Sequence, residues 1–227
     1  MKISDNRGWG MAGTINKHLW SDLANAPASA GIYAWYYNIE ITAFDINQAI
    51  ESLKSLDLKA SRSEAEQVVR SLLDDRVFQL FRHDVYHARI DGALKASFSG
   101  SLEHSFVPSE GLVRRIVENP ERLWVLRDVL ESCAPWFASP LYIGMSENLR
   151  KRLGVHKALI ERYRSRSSKD ESPSGDADAG FAWHIAQRRI PPERLSVYTC
   201  AASDIDGIGL DIENVLNRLF YPLLGRN

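Results

Sequence analysis

One stretch restricts the fold of this chain more than any other. Pro140-Leu141-Tyr142-Ile143-Gly144 is an apolar, partly β-branched run opened by Pro and closed by Gly, the pattern of a short buried strand. A helix follows almost at once. Ser146 stands where an N-cap is wanted, and Glu147 suits the positive end of a helix dipole. Leu149, Leu153 and Ile160 then fall on one helical stripe. At ~100° per residue, Arg152 lies about 60° and His156 about 20° from that stripe. The two are four residues apart and so are neighbours on one flank. A cation and an imidazole are therefore expected at the seam between this helix and its packing partner, a place suited to a phosphate.

The remaining chain supplies partners for that strand and helix. Residues 30–37, rich in aromatic and β-branched residues, predict a strand with Gly31, Tyr33, Trp35 and Tyr37 on one face. Leu195 to Ala201 predicts a third strand. Leu210 to Tyr221 predicts a last helix, with Ile212, Val215, Leu216 and Leu219 as its apolar side and Pro222 as its stop. Residues 1–29 read as a mixed segment anchored by Trp9, Trp20 and Leu23. Residues 165–180, rich in Ser, Asp, Gly and Pro, read as a mobile surface loop, and Phe181 to Arg189 as a short helix.

Between the first two strands the composition changes. Residues 45–57 and 61–82 have helical periodicity. Residues 84–107 alternate like a hairpin, with Asp91-Gly92 or Ser99-Gly100 as turns. Residues 108–118 and 120–133 read as helices split at Asn119-Pro120. The expected architecture is α/β: a small, central, mainly antiparallel sheet flanked by helices. Residues 1–37 and 140–227 build this core. Residues 38–139 form a mostly helical inserted subdomain, a candidate specificity or dimerisation element.

Charge and cysteine content narrow the function classes. A formal net charge of -1 over 227 residues argues against a wholly basic nucleic-acid coat protein, but not against a local basic surface. Such a surface is present. From Tyr142 to Lys169, eight Lys or Arg residues face two acids, Glu147 and Glu161. Arg150, Lys151, Lys157, Arg162, Arg164 and Arg166 are the candidate nucleic-acid contacts. Cys133 and Cys200 lie far apart in apolar surroundings and read as reduced, buried thiols. No apolar leader and no apolar run of 18 residues is present. The expectation is a cytoplasmic protein with no membrane partner.

Gly31-Ile32-Tyr33 and Tyr142-Ile143-Gly144 resemble the two halves of the GIY-YIG nuclease signature. The resemblance extends beyond the tripeptides. The family carries an Arg ten residues after the second Tyr, matched by Arg152, and often a His four residues later, matched by His156. Far downstream it has a helical metal-binding Glu and then an Asn beyond a Pro, matched by Glu213, Asn227 and Pro222. It covers residues 30–37 and 140–227. One departure is large: the family joins its two strands by a short hairpin, whereas Tyr33 and Tyr142 are 109 positions apart here.

The resemblance implies hydrolysis of a DNA phosphodiester with one Mg²⁺ (or Mn²⁺) and a catalytic set of Tyr33, Tyr142, Arg152, His156, Glu213 and Asn227. Arg152 suits phosphate binding because its forked donors match phosphate oxygens. A phenol titrates near ~10 and needs a cation beside it to act as a base near neutrality; Tyr33 is the expected base, with Tyr142 and His156 orienting the water or relaying its proton. Glu213 is the expected lone protein ligand of the metal. Each residue alone has a plainer reading: strand aromatics, a core histidine, a solvated arginine, a surface glutamate. Two function classes follow. One is a metal-dependent DNA endonuclease, of restriction or defence type before repair or mobile-element type, with a homodimer as the expected assembly. The other is a non-catalytic DNA- or protein-binding module that keeps the nuclease fold.

Overall fold

The computed structural model describes residues 15–57, 59–81, 85–93, 97–102, 107–165, 177–201 and 209–225. The chain divides into two units. One is Ile39–Cys133; the other is the chain up to Asn38 together with everything from Ala134 onward.

The split unit is α/β, with a mainly antiparallel sheet flanked by helices. Its strands are β1 (Ile15–Leu19), β2 (Gly31–Tyr37), β5 (Tyr142–Ser146) and β6 (Leu195–Ala201), in the spatial order β1-β6-β2-β5. All three pairings are antiparallel. Sequence reading anticipated three strands and missed β1. Its residues, Ile-Asn-Lys-His-Leu, do not alternate in polarity, and four of the five are exposed; only His18 is buried. An edge strand of this kind is defined by its partner, Leu19 opposite Ser196 and Ile15 opposite Cys200, and not by its own pattern.

Side chains along β2 alternate buried and half-buried, so Gly31, Tyr33, Trp35 and Tyr37 form one buried row. Register places Tyr33 opposite Gly144 on β5 and opposite Thr199 on β6, and Trp35 opposite Tyr142 and Val197. Two helices cover this face. Helix α5 (Leu149–Ser165) contributes Leu149, Leu153, His156 and Ile160, and α6 (Ala177–Gln187) contributes Phe181, Ala182 and Ile185, all buried. Residues 177–180 thus belong to a helix and not to the expected loop; residues 166–176 lie outside the described residues.

The cap of α5 also differs from expectation. Ser146 ends β5, and Asn148 caps the helix, its side-chain oxygen accepting from Lys151 N at 2.9 Å. Ser146 shapes the turn instead, its Oγ accepting from Asn148 N at 3.1 Å. Helix α7 (Gly209–Phe220) carries a second correction. Val215 and Leu219, expected inward, are 61% and 65% exposed, while Ile212, Glu213, Leu216 and Asn217 are half-buried. Both cysteines are half-buried rather than buried.

The Ile39–Cys133 unit contains α1 (Ala43–Ser55), α2 (Arg62–Leu73), α3 (Glu110–Glu118) and most of α4 (Arg122–Phe137), with a hairpin of β3 (Tyr86–Asp91) and β4 (Ser97–Leu102). Helix α1 begins with a reciprocal cap: Thr42 Oγ1 accepts from Asp45 N, and the Asp45 carboxylate accepts from Thr42 N. Arg76 closes on the same carboxylate at 2.7 Å. Buried Ile46, Ile50, Leu53, Val69, Leu73, Val113 and Ile116 form its core. Among the described residues, no helix is long and apolar enough to cross a membrane.

Gly31 is required by packing. A Cβ there would meet the Cys200 carbonyl oxygen and lie 2.8 Å from Leu149 Cδ1 and 3.0 Å from Ala201 Cα. Two of those contacts are backbone of the central strand. Gly31→Ala is therefore expected to lower unfolding free energy by about 1–3 kcal/mol, read as a lower urea midpoint. An unchanged midpoint contradicts this account.

Candidate functional site

The Tyr33 hydroxyl is the meeting point of three elements. It rises from β2, beside Gly144 of β5, toward α5. The first close approach is to Gly144. A Cβ at that position would lie 2.5 Å from the Tyr33 hydroxyl oxygen and 2.6 Å from Cζ, so the phenol occupies space that only glycine leaves open. The second is from Arg152, whose Nε donates to the same oxygen at 3.1 Å. The third is His156, with Nε2 3.1 Å from that oxygen.

Arg152 can only donate, so Tyr33 accepts from it. The Tyr33 oxygen keeps one proton and a further lone pair, so its bond to His156 Nε2 runs in the direction that the ring's tautomer sets. The ring itself is neutral. His156 is wholly enclosed, and burial, followed by the adjacent Arg152 cation, pushes its pKa down from 6.5 to about 3. The one positive charge of the cluster thus resides on Arg152.

Aromatic rings wall the imidazole on several sides. Tyr33, Tyr142, Trp35 and Phe181 lie with ring centroids 5.5, 5.7, 6.1 and 5.3 Å from it, respectively. Trp35 and Phe181 were not singled out from the sequence. Trp35 was legible as part of the Gly31–Tyr37 row. Phe181 was not, because nothing in the sequence around it marks which face of β2 its helix covers.

Glu213 arrives from α7 at the next residue of β5. Its carboxylate accepts from Met145 N at 3.0 Å, one position beyond Gly144. Strand β5 is a sheet edge, so the bond also covers an edge N–H that the sheet leaves over. Asn217 lies one turn on and donates to the Glu213 carbonyl at 2.9 Å. A single carboxylate of this kind suits Mg²⁺, which keeps most of its waters and needs few protein ligands. Among the described residues, no group of three or more His, Cys, Asp and Glu is placed to hold a metal, and a one-carboxylate site requires none.

The basic flank of α5 divides into two groups. Three of its cations act as clamps on backbone carbonyls. Arg150 Nε donates to Ala26 O at 2.8 Å, Lys157 Nζ to Trp20 O at 3.4 Å, and Arg164 Nη1 to Ile190 O at 2.6 Å. Lys157 also lies 5.3 Å above the Trp20 ring. Lys151 and Arg162 are exposed. Arg166 and Asn227 lie outside the described residues.

No family model matches this chain, and comparison with curated proteins and with solved structures gave no significant match.

The enclosed imidazole makes a pH prediction. An unfolded histidine binds a proton below about 6.5, whereas His156 in the fold does so only near 3. Across that window the unfolded chain holds more protons, so stability falls as pH falls, by up to ~1.4 kcal/mol per pH unit from this group. Denaturant melts of wild type and His156→Gln between pH 6.5 and pH 4 should differ in slope by about that amount. Equal slopes would show that His156 is not held neutral.

Proposed function

We propose that this chain is a metal-dependent DNA endonuclease with a GIY-YIG-type core. One observation carries the reading. Tyr33, Gly144, Arg152 and His156 meet at a single hydroxyl oxygen, and Glu213 attaches at the adjoining residue of the same strand. Three chain segments far apart in sequence (β2, the β5–α5 stretch and α7) converge there, and their order along the chain is that of the nuclease signature.

In this reading Arg152 has two tasks. Its guanidinium holds the phenol oxygen of Tyr33, which favours the phenolate and fits Tyr33 for the role of general base. Its forked donors bind the scissile phosphate and stabilise the charge that develops on it. His156, held neutral, hydrogen-bonds the Tyr33 hydroxyl and fixes its direction. Tyr142, whose ring centroid is 6.2 Å from that of Tyr33, orients the attacking water. Mg²⁺ or Mn²⁺ at Glu213 would neutralise phosphate charge and polarise the phosphorus–oxygen bond. Lys151 and Arg162 lead the duplex contacts, because Arg150, Lys157 and Arg164 are already tied to carbonyls. A restriction-type role is preferred to repair or mobile-element functions.

A competing reading has its own observation. Tyr33 is fully enclosed, as expected of an aromatic core cluster in a non-catalytic DNA- or protein-binding module. Plasmid DNA with Mg²⁺ separates the two: cleavage by wild type supports the nuclease, and binding without cleavage across sequences and metals supports the module.

Three substitutions test the roles. Arg152→Ala and Glu213→Ala should each lower cleavage by at least ~10²-fold while leaving circular dichroism unchanged. Gly144→Ala should displace the Tyr33 ring and lower cleavage on the order of 10²-fold, because small misplacements at a reacting centre have effects of that size. Retained cleavage in Arg152→Ala or Glu213→Ala sinks the assignment. Lys151→Ala, by contrast, should reduce the salt dependence of duplex binding by about one phosphate contact.

A further inference from the structure

The β3–β4 hairpin in the Ile39–Cys133 unit is amphipathic in the wrong sense for a solvated element. Its register pairs Tyr86 with Leu102, Ala88 with Gly100 and Ile90 with Phe98. Directly paired residues share a face, so all six lie on one side. The opposite side carries His87, Arg89, Asp91 and three serines. Every residue of both strands is exposed, and on the apolar side the four large ones are 62% (Tyr86), 68% (Ile90), 67% (Phe98) and 66% (Leu102) exposed. A lone two-stranded hairpin is marginal in water and needs a covered apolar face to persist.

We infer that this face is where a second copy of the chain docks, hairpin against hairpin about a two-fold axis. Two observations favour that occupant. The first is charge. Among the described residues no cation stands on the apolar side, and Arg89 on the other side is paired with Asp91 at 3.0 Å, so these two strands offer little to a phosphate backbone. A face without charge does not repel its own copy, which an isologous contact requires.

Area is the second. The face runs as a row of large side chains (Tyr86, Leu102), a low row (Ala88, Gly100) and another large row (Ile90, Phe98), and a Cβ added at Gly100 would meet nothing within 4 Å. Taking exposed side chains of this size as ~200 Å² each, the four large ones present roughly 500 Å² per copy, and a face-to-face pair covers roughly 1,000 Å², about where specific interfaces begin. A monomer seldom leaves a patch of that size open.

The readout is mass, which does not depend on the nuclease reading. Full-length wild type, measured by sedimentation and light scattering through the micromolar range, should be a dimer. Ile90→Glu should have half that mass. Gly100→Lys should do the same, and its open surroundings let the side chain enter without disturbing the hairpin, so loss of folding does not explain the result. Ser99→Glu, on the polar side, should remain dimeric. A wild type that is monomeric throughout overturns the inference, as does a dimer that survives both Ile90→Glu and Gly100→Lys. A wild-type monomer whose duplex binding falls in Ile90→Glu would assign the face to DNA and overturns it equally.

Discussion

A cation, a phenol and a neutral imidazole share one oxygen atom inside an aromatic enclosure, and the split unit is built around that arrangement. A buried phenol is tolerated poorly without hydrogen-bond partners, and Tyr33 has two: half-buried Arg152 donates to it, and His156 Nε2 lies 3.1 Å away. The enclosed imidazole stays neutral. Burial, and after it the Arg152 charge, lowers its pKa from 6.5 to about 3, so the neutrality of the ring rests on enclosure more than on any one contact.

The cluster works only if α5 is held at one height above the sheet, and several weaker devices do this. Asn148 fixes where the helix begins. Backbone bonds from Leu149 to Ser29 O and from Arg150 to Pro27 O tie its first turn to the chain entering β2. Arg150 and Lys157 add side-chain bonds to Ala26 O and Trp20 O. Basic residues that look like a polyanion surface in the sequence therefore act partly as struts. Charge alone did not distinguish the two uses, because a guanidinium serves a carbonyl and a phosphate with the same donors.

What the sequence made legible follows from periodicity and spacing. The buried row of β2, the strand–helix turn at residues 140–156 and the flank shared by Arg152 and His156 all follow from the geometry of single elements. What stayed hidden depended on partners. Strand β1 exists through β6. Phe181 closes the enclosure from a helix whose placement no local pattern states. The inward side of α7 was misjudged for an instructive reason: its apolar residues were assumed to face the core. The helix instead presents Glu213 to an edge-strand N–H, leaving Val215 and Leu219 outside.

The 109-position separation of the two strands is the feature most at odds with a compact sheet, and its energetic weight is small. Closure entropy grows only with the logarithm of loop length. Replacing a connection of about ten residues by one of about a hundred adds ~2 kcal/mol if the longer chain is flexible. Residues 39–133 are not a flexible loop. They hold their own helices, caps and buried core, so most of that chain is ordered by its own contacts, and the entropy of joining β2 to β5 is reduced accordingly. The pairing itself is regular, with Tyr33 opposite Gly144 and Trp35 opposite Tyr142. A self-folding insertion can therefore be accepted between the two halves of a site at little energetic penalty. It leaves the register of β2 and β5 to be decided by the phenol that only Gly144 can accommodate.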